Sequence, residues 1–258
     1  MPPRALRPTG LILVDKAAGP SSFAVVRDIR SRTGARTGHA GTLDPFASGL
    51  LLVLSGSATR LAPWLVGLGK RYLTEIDLRS RTSTGDPEGD TVDDHDAPAE
   101  AELHEGLERL RGDVELPIPA ASAVKVGGER AYRLARRGVA LEMPLRRSRI
   151  DQLDVIAYTG ESVTLDLRVS SGTYVRSVAA ALGGHCRTLR RTEVGPFRVE
   201  DADPERILPP ADALPFLPAL EVDEATAVAI RAGRERVTED VRVLYEGELV
   251  SVDGTVIP

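Results

Sequence analysis

Gly38-His39-Ala40-Gly41-Thr42-Leu43-Asp44-Pro45-Phe46-Ala47-Ser48-Gly49 sets one carboxylate in a glycine-framed loop ahead of the apolar run Leu50 to Leu54. Pro45 disfavours the helical region for Asp44 and biases it toward an extended or turn conformation. Gly38, Gly41 and Gly49 permit a tight backbone path or the close approach of a partner. On these residues alone the simpler reading is an Asx-type turn, in which Asp44 bonds neighbouring backbone N–H groups. A catalytic carboxylate needs support from the rest of the chain.

Outward from that loop, Gly10 to Lys16 reads as a buried strand ended by Ala17-Ala18-Gly19-Pro20. Ser21 or Ser22 can cap a helix through about Thr33, with Phe23, Val26 and Ile29 on one face. The Asp44 loop then lies between this helix and a strand, Leu50 to Leu54. Ser57 to Val66 reads as a short helix, and Lys70 to Leu78 alternates with the period of a strand, Tyr72 being half-buried in it. Residues 82 to 99 read as an acidic loop, Ala101 to Leu110 as an amphipathic helix, and Glu129 to Arg137 as a basic helix. Strands return at Ile150 to Tyr158 and Val163 to Val169. Thr173 can cap a helix from Tyr174 to Leu182, which puts Tyr174 and Arg176 at a helix start. Leu189 to Thr192 with Gly195-Pro196-Phe197 forms a second basic turn. Beyond the proline-rich stretch from Pro204 to Pro218, Ala225 to Ala232 is a helix, and Val241 to Tyr245 with Glu248 to Val252 is a hairpin around Glu246-Gly247. The pattern is a mixed α+β body with a small, mostly β appendage.

The 258 residues suffice for one large domain, or a large one and a small one. The net charge of −5 is unevenly spread. Between Lys125 and Arg149 stand eight basic residues and two acidic ones, a local charge of +6 that leaves −11 for the remainder. Thr82 to Glu108 carries ten acids and no Lys or Arg, a solvated acidic face. Local charge, not the total, decides what docks where. Thirty arginines stand against only Lys16, Lys70 and Lys125; where lysine survives, a compact ammonium suits the site better than a planar guanidinium. Cys186 is the single cysteine, and His39, His95, His104 and His185 lack metal-ligand spacing. With no charged-then-apolar leader and no apolar run near the roughly 20 residues that span a bilayer, the expectation is a soluble cytoplasmic protein. Nucleotide phosphate cradles and the G-x-S-x-G elbow are absent. What remains open is a single carboxylate acting as nucleophile or base, kept ionised by a nearby arginine.

Six ordered motifs carry a resemblance to a known family. They are Gly10 to Gly19, Gly38 to Gly49 (G-H-x-G-T-L-D-P-x-A-x-G), Lys70 to Tyr72, Ser122 to Gly138 (S-A-x-K-x-x-G-x-R-A-Y-x-L-A-R-x-G), Ser170 to Arg176, and Leu189 to Phe197 (L-R-R-T-x-x-G-P-F). Through them the chain resembles the bacterial tRNA pseudouridine-55 synthases, the TruB family, over nearly its whole length. Ala17 and Val175 depart from that family's usual proline and isoleucine. The resemblance implies the mixed, largely antiparallel sheet of the pseudouridine synthase catalytic fold over residues 1–217, a thumb-like RNA-binding insertion at about 122–149, and a short PUA-like module over 218–258.

It further implies conversion of uridine 55 in the tRNA T-loop to pseudouridine, with no cofactor and no metal. Asp44 is the implied catalyst and Arg176 its implied salt-bridge partner. Tyr72 is implied to stack on the target base, Tyr174 to line the pocket, and His39 to hold the rearranged loop open. Lys16, Lys70, Lys125, Arg130, Arg133, Arg136, Arg137, Arg190 and Arg191 are the expected RNA contacts. The implied partner is tRNA alone, bound by a monomer that needs no guide RNA, protein partner or membrane. The buried target base has to leave its stack before it reacts, and a basic thumb supplies phosphate contacts to an otherwise acidic protein. Whether Asp44 attacks carbon or removes a sugar proton stays open. A non-catalytic protein that binds and refolds the tRNA elbow is the alternative, against which a carboxylate in a phosphate-rich site argues.

Overall fold

The apolar runs on either side of the Asp44 loop become paired strands in a computed structural model that describes residues 8–122, 124–126, 128–131 and 143–257. The chain forms two units, Met1–Leu68 with Glu193–Pro258, and Gly69–Thr192. The first begins with β1 (Gly10–Lys16), α1 (Ser22–Thr33), β2 (Thr37–His39), β3 (Ser48–Ser55), a 3-10 turn (Gly56–Leu61) and α2 (Ala62–Val66). β3 pairs antiparallel with all of β1 and, at its far end, with β2. Leu50 to Leu54 are buried without alternation, as a strand covered on both faces requires. The Asp44 loop is therefore the connection of a β2–β3 hairpin, not a helix-to-strand link.

Ser21 caps α1 by accepting the Ala24 N–H, and Gly34 ends it in a left-handed conformation. Its inward face is Ser22, Val26 and Ile29, whereas Phe23 is 70 % exposed. The expected grouping of Phe23 with Val26 and Ile29 on one face is thus corrected: the buried i, i+4, i+7 series starts one residue earlier, at Ser22.

The second unit contains β4 (Lys70–Asp77), β5 (Ser80–Thr82), β6 (Thr91–Asp94), α3 (Glu100–Arg109), β7 (Gly112–Pro117), β8 (Lys125–Val126), β9 (Glu129–Arg130), β10 (Leu145–Tyr158), β11 (Ser162–Val169) and α4 (Val175–Ala181), followed by β12 (His185–Val194). β4, β11, β10 and β7 pair antiparallel in that order. Val163, Leu165, Leu167 and Val169 of β11 are buried, which fulfils the period-two expectation. Four expectations change, the first being that the strand expected from Ile150 begins at Leu145. The acidic stretch is not all loop, because Thr91–Asp94 pairs with Ser80–Thr82. Glu129–Arg130 is a strand paired with Lys125–Val126, not the start of a helix; residues 132–142, the rest of that basic segment, lie outside the described residues. Leu189 to Thr192 belong to β12, the turn coming only at Gly195.

The chain then adds β13 (Phe197–Arg198), β14 (Asp203–Leu208), β15 (Ala219–Glu221), α5 (Glu224–Arg231), β16 (Arg242–Tyr245), β17 (Glu248–Val252) and β18 (Thr255–Val256) to the first unit. β14 closes on β1, and β15 to β18 make a separate four-stranded sheet. Both residues of the β16–β17 turn have positive φ, Glu246 at 51° and Gly247 at 77°, the twist that two-residue hairpins favour. Val243 and Val250 pack with Ala227 and Ile230 of α5, while Leu244, Leu249, Val252 and Ile257 join a core with Leu11, Leu13, Leu50 and Leu52. The result is a mixed α+β protein built mainly of antiparallel sheet.

Candidate active site

Residues 40–47 connect β2 to β3, and Gly41 in that loop and Gly49 at the start of β3 have φ of 107° and 104°, values that favour glycine. Inside it the residues beside Asp44 are pinned. The Leu43 N–H donates to Ser22 Oγ at 2.8 Å, and the same Oγ donates to the Leu43 carbonyl at 2.8 Å. The Pro45 carbonyl accepts the Gly19 N–H at 2.8 Å and Lys16 Nζ at 3.2 Å. Asp44's own carbonyl accepts the Ala47 N–H at 3.2 Å.

Lys16 also donates to the Ala17 and Pro20 carbonyls at 2.9 and 2.8 Å, and it is only 1 % exposed. Its ammonium serves the backbone of the turn and the loop. The surviving lysine is explained: three backbone carbonyls around one point suit a compact triple donor. His39 ends β2, half-buried, opposite Val53.

In the second unit Lys70 and Tyr72 stand two residues apart on β4, so both point to the same buried face. Lys70 Nζ lies 3.5 Å from Ser171 Oγ. Burial, and then the nearby Arg191 guanidinium, lower its pKa to about 8. Arg191 is 1 % exposed on β12, and Arg190 next to it faces the other way, half-buried. Arg191, like Lys16, is buried in this structure. On the opposite face of β4, Arg71 makes a two-pronged pair with Asp166 at 2.8 and 2.6 Å.

Arg176, in the first turn of α4, is 3 % exposed. Its Nη1 donates to the Thr84 carbonyl at 2.7 Å, its Nη2 to the Ala121 carbonyl at 3.1 Å, and Asp86 Oδ2 lies 3.6 Å from Nη1. Asp86 in turn accepts from the Thr84 hydroxyl and the Glu88 N–H. This buried carboxylate was missed in the acidic stretch, where a run of acids reads as solvated. A signal was there: Gly85-Asp86-Pro87 repeats the Asp-Pro pairing of the Asp44 loop. Tyr174 is the half-buried N-cap residue of the same helix. Just before it, Gly172 at φ 81° leaves room for the Arg146 guanidinium, which a Cβ would strike.

In the expected thumb, Lys125 and Arg130 are direct cross-strand partners on the β8–β9 ribbon. Arg133, Arg136 and Arg137 lie outside the described residues. One loop thus holds a carboxylate with both neighbours fixed, and a separate unit holds a buried arginine with three of its contacts assigned. Such fixed groups suit charge stabilisation and proton transfer, where misplacement is costly.

Residues 29–175 match the model of the TruB family pseudouridylate synthase N-terminal domain. The chain is 37 % identical to tRNA pseudouridine synthase B of Azoarcus sp. strain BH72, over 94 % of this chain and 90 % of that protein. It is 38 % identical to tRNA pseudouridine synthase B of Syntrophobacter fumaroxidans, over 88 % and 81 %. Among solved structures, a Cbf5-Nop10-Gar1 complex matches with a TM-score of 0.70 at 24 % identity, covering 94 % of this chain and 77 % of that one, a likeness of fold.

Proposed function

The chain belongs to the TruB family of pseudouridylate synthases, and from that membership we propose that it isomerises uridine 55 in the T-loop of tRNA with Asp44 as the catalytic carboxylate. Pseudouridine formation in tRNA is the activity of the family branch it matches. The observation that carries the assignment of Asp44 is the pinning of Leu43 and Pro45 on either side of it, which leaves its side chain on a rigid base. The position within tRNA rests on the motif match to the pseudouridine-55 synthases.

In this reading the target uridine leaves its stack, at a cost of about a few kcal/mol, and Tyr72 and His39 offer ring faces in compensation. The bond from the sugar to N1 breaks and one to C5 forms; the proton lost from C5 is balanced by one gained at N1. Asp44 starts the exchange either as nucleophile or as base, and Arg176 keeps it ionised. Tyr174 lines the pocket. Lys125, Arg130, Arg133, Arg136 and Arg137 contact phosphates. The protein acts as a monomer, on tRNA alone, in the cytoplasm.

The test is Asp44→Asn assayed on a T-stem-loop RNA. Pseudouridine is expected to fall to background while RNA binding is retained. Product at the wild-type rate would remove Asp44 from the chemistry; loss of binding in step with product would favour the binding and refolding alternative.

A further inference from the structure

We propose that Ser22 is a positioning residue for the reaction, holding the Asp44 loop in its reactive shape; this rests on the assignment of Asp44 above. Ser22 lies 21 residues from Leu43 in sequence, yet its single oxygen both accepts from the Leu43 N–H and donates to the Leu43 carbonyl, each at 2.8 Å. The site is sealed, Ser22 being 2 % exposed. Water therefore has no ready access to replace either bond, and both backbone groups of the residue before Asp44 depend on one hydroxyl.

The neighbouring serine makes this role possible. Ser21 supplies the cap of α1 by accepting the Ala24 N–H at 3.2 Å. Ser22, the first residue of the helix, is then free of capping duty and turns inward, in line with Val26 and Ile29. The loop thus takes its position from a twelve-residue helix anchored by those two side chains rather than from its own flexible backbone. Lys16 and Gly19 hold the carbonyl of Pro45 on the other side. Asp44 is suspended between two clamps, and Ser22 is the one formed by a side chain that can both give and accept. Alanine removes both bonds. Cysteine keeps nearly the same volume but is a weak donor and acceptor, so it separates hydrogen bonding from packing.

Ser22→Ala, Ser22→Cys and Asp44→Asn are compared with wild type in the full chain, by single-turnover pseudouridine formation on a T-stem-loop RNA, by RNA binding, and by thermal unfolding. Ser22→Ala and Ser22→Cys are expected to lower the single-turnover rate by about 10- to 100-fold, the scale of a small misplacement of a reacting group, with RNA affinity within about twofold and a folded protein at the assay temperature. The proposal is overturned if either serine variant turns over at the wild-type rate, or if its rate loss merely matches a loss of binding or of folded protein. An inactive Asp44→Asn beside fully active serine variants would refute the role of Ser22 alone. A fully active Asp44→Asn would refute the underlying assignment as well.

Discussion

Replacing Lys70 with methionine should stabilise the fold at neutral pH and abolish a pH dependence of stability expected for the wild type between about pH 8 and 10.5. Lys70 is buried on β4 near the Arg191 guanidinium, and these two causes lower its pKa from the ordinary 10.5 to about 8. At about 1.4 kcal/mol for each pH unit, the difference corresponds to about 3 kcal/mol. Below pH 8 the ammonium is charged in both folded and unfolded chains, and this penalty stands in full. Between pH 8 and 10.5 the folded chain has released the proton while the unfolded chain still holds it, so stability rises with pH. Above 10.5 the amine is neutral in both, and the penalty is gone. Methionine keeps the length without the charge, and among the contacts it gives up is the bond to Ser171, which is long at 3.5 Å. Urea unfolding of both proteins at pH 7 and pH 9.5 measures the effect: Lys70→Met should be more stable by up to about 3 kcal/mol at pH 7, with the gap narrowing at pH 9.5. Parallel stability profiles would refute the buried-cation argument. If the Lys70 charge also serves RNA, wild-type affinity for tRNA falls through pH 8 while that of Lys70→Arg does not.

Removing Asp86 takes from the buried Arg176 a carboxylate at 3.6 Å and from the 83–89 turn two hydrogen bonds; Asp86→Ala should cost about 3 kcal/mol in urea unfolding, and a variant as stable as wild type would dismiss the pair. Both ring nitrogens of His95 face carbonyl oxygens, Asp96 at 3.0 Å and Gly183 at 2.9 Å, an arrangement only the doubly protonated ring satisfies. These contacts, that of the Asp96 carbonyl first, raise its pKa. The stabilising effect of His95 is then complete below the ordinary pKa of 6.5 and fades as pH rises through the raised value. His95→Gln should therefore lower the unfolding midpoint at pH 5.5 and much less at pH 8.5, and an equal loss at both would contradict the assignment. Binding of tRNA should weaken steeply with salt, and the triple change Arg133→Ala, Arg136→Ala, Arg137→Ala should flatten the slope of log affinity against log salt by about 3; an unchanged slope would take those residues out of the interface.

The strands were legible wherever apolar periodicity was strong. β1, β3, β4 and β11 fall within a residue or two of their expected places because alternation, or an unbroken apolar run, records burial directly. The β16–β17 hairpin was legible because Glu246-Gly247 is turn chemistry between two apolar segments. The three residues of β2 carry no periodicity, and so the hairpin that presents Asp44 could not be seen. Phe23 and Ser22 exchange places for a related reason. A helix of this length permits two neighbouring stripes, and only the sheet it packs on selects one.

For the site, the sequence by itself determined the chemical types: a glycine-framed carboxylate, a tyrosine on a strand, an arginine at a helix start, and the motifs that identify the family. Tertiary structure alone decided which polar groups work inside the fold. Lys16 and Arg191 look like surface cations in sequence, yet each is 1 % exposed. Asp86 stands in an acidic run yet lies beside Arg176, and Ser22 reads as a helix cap yet holds Leu43. The physical reason is that charge and hydrogen-bonding capacity are properties of a residue, but their use depends on partners distant along the chain, such as Leu43, 21 residues from Ser22, Pro45, 29 from Lys16, and Arg176, 90 from Asp86, which only folding brings close.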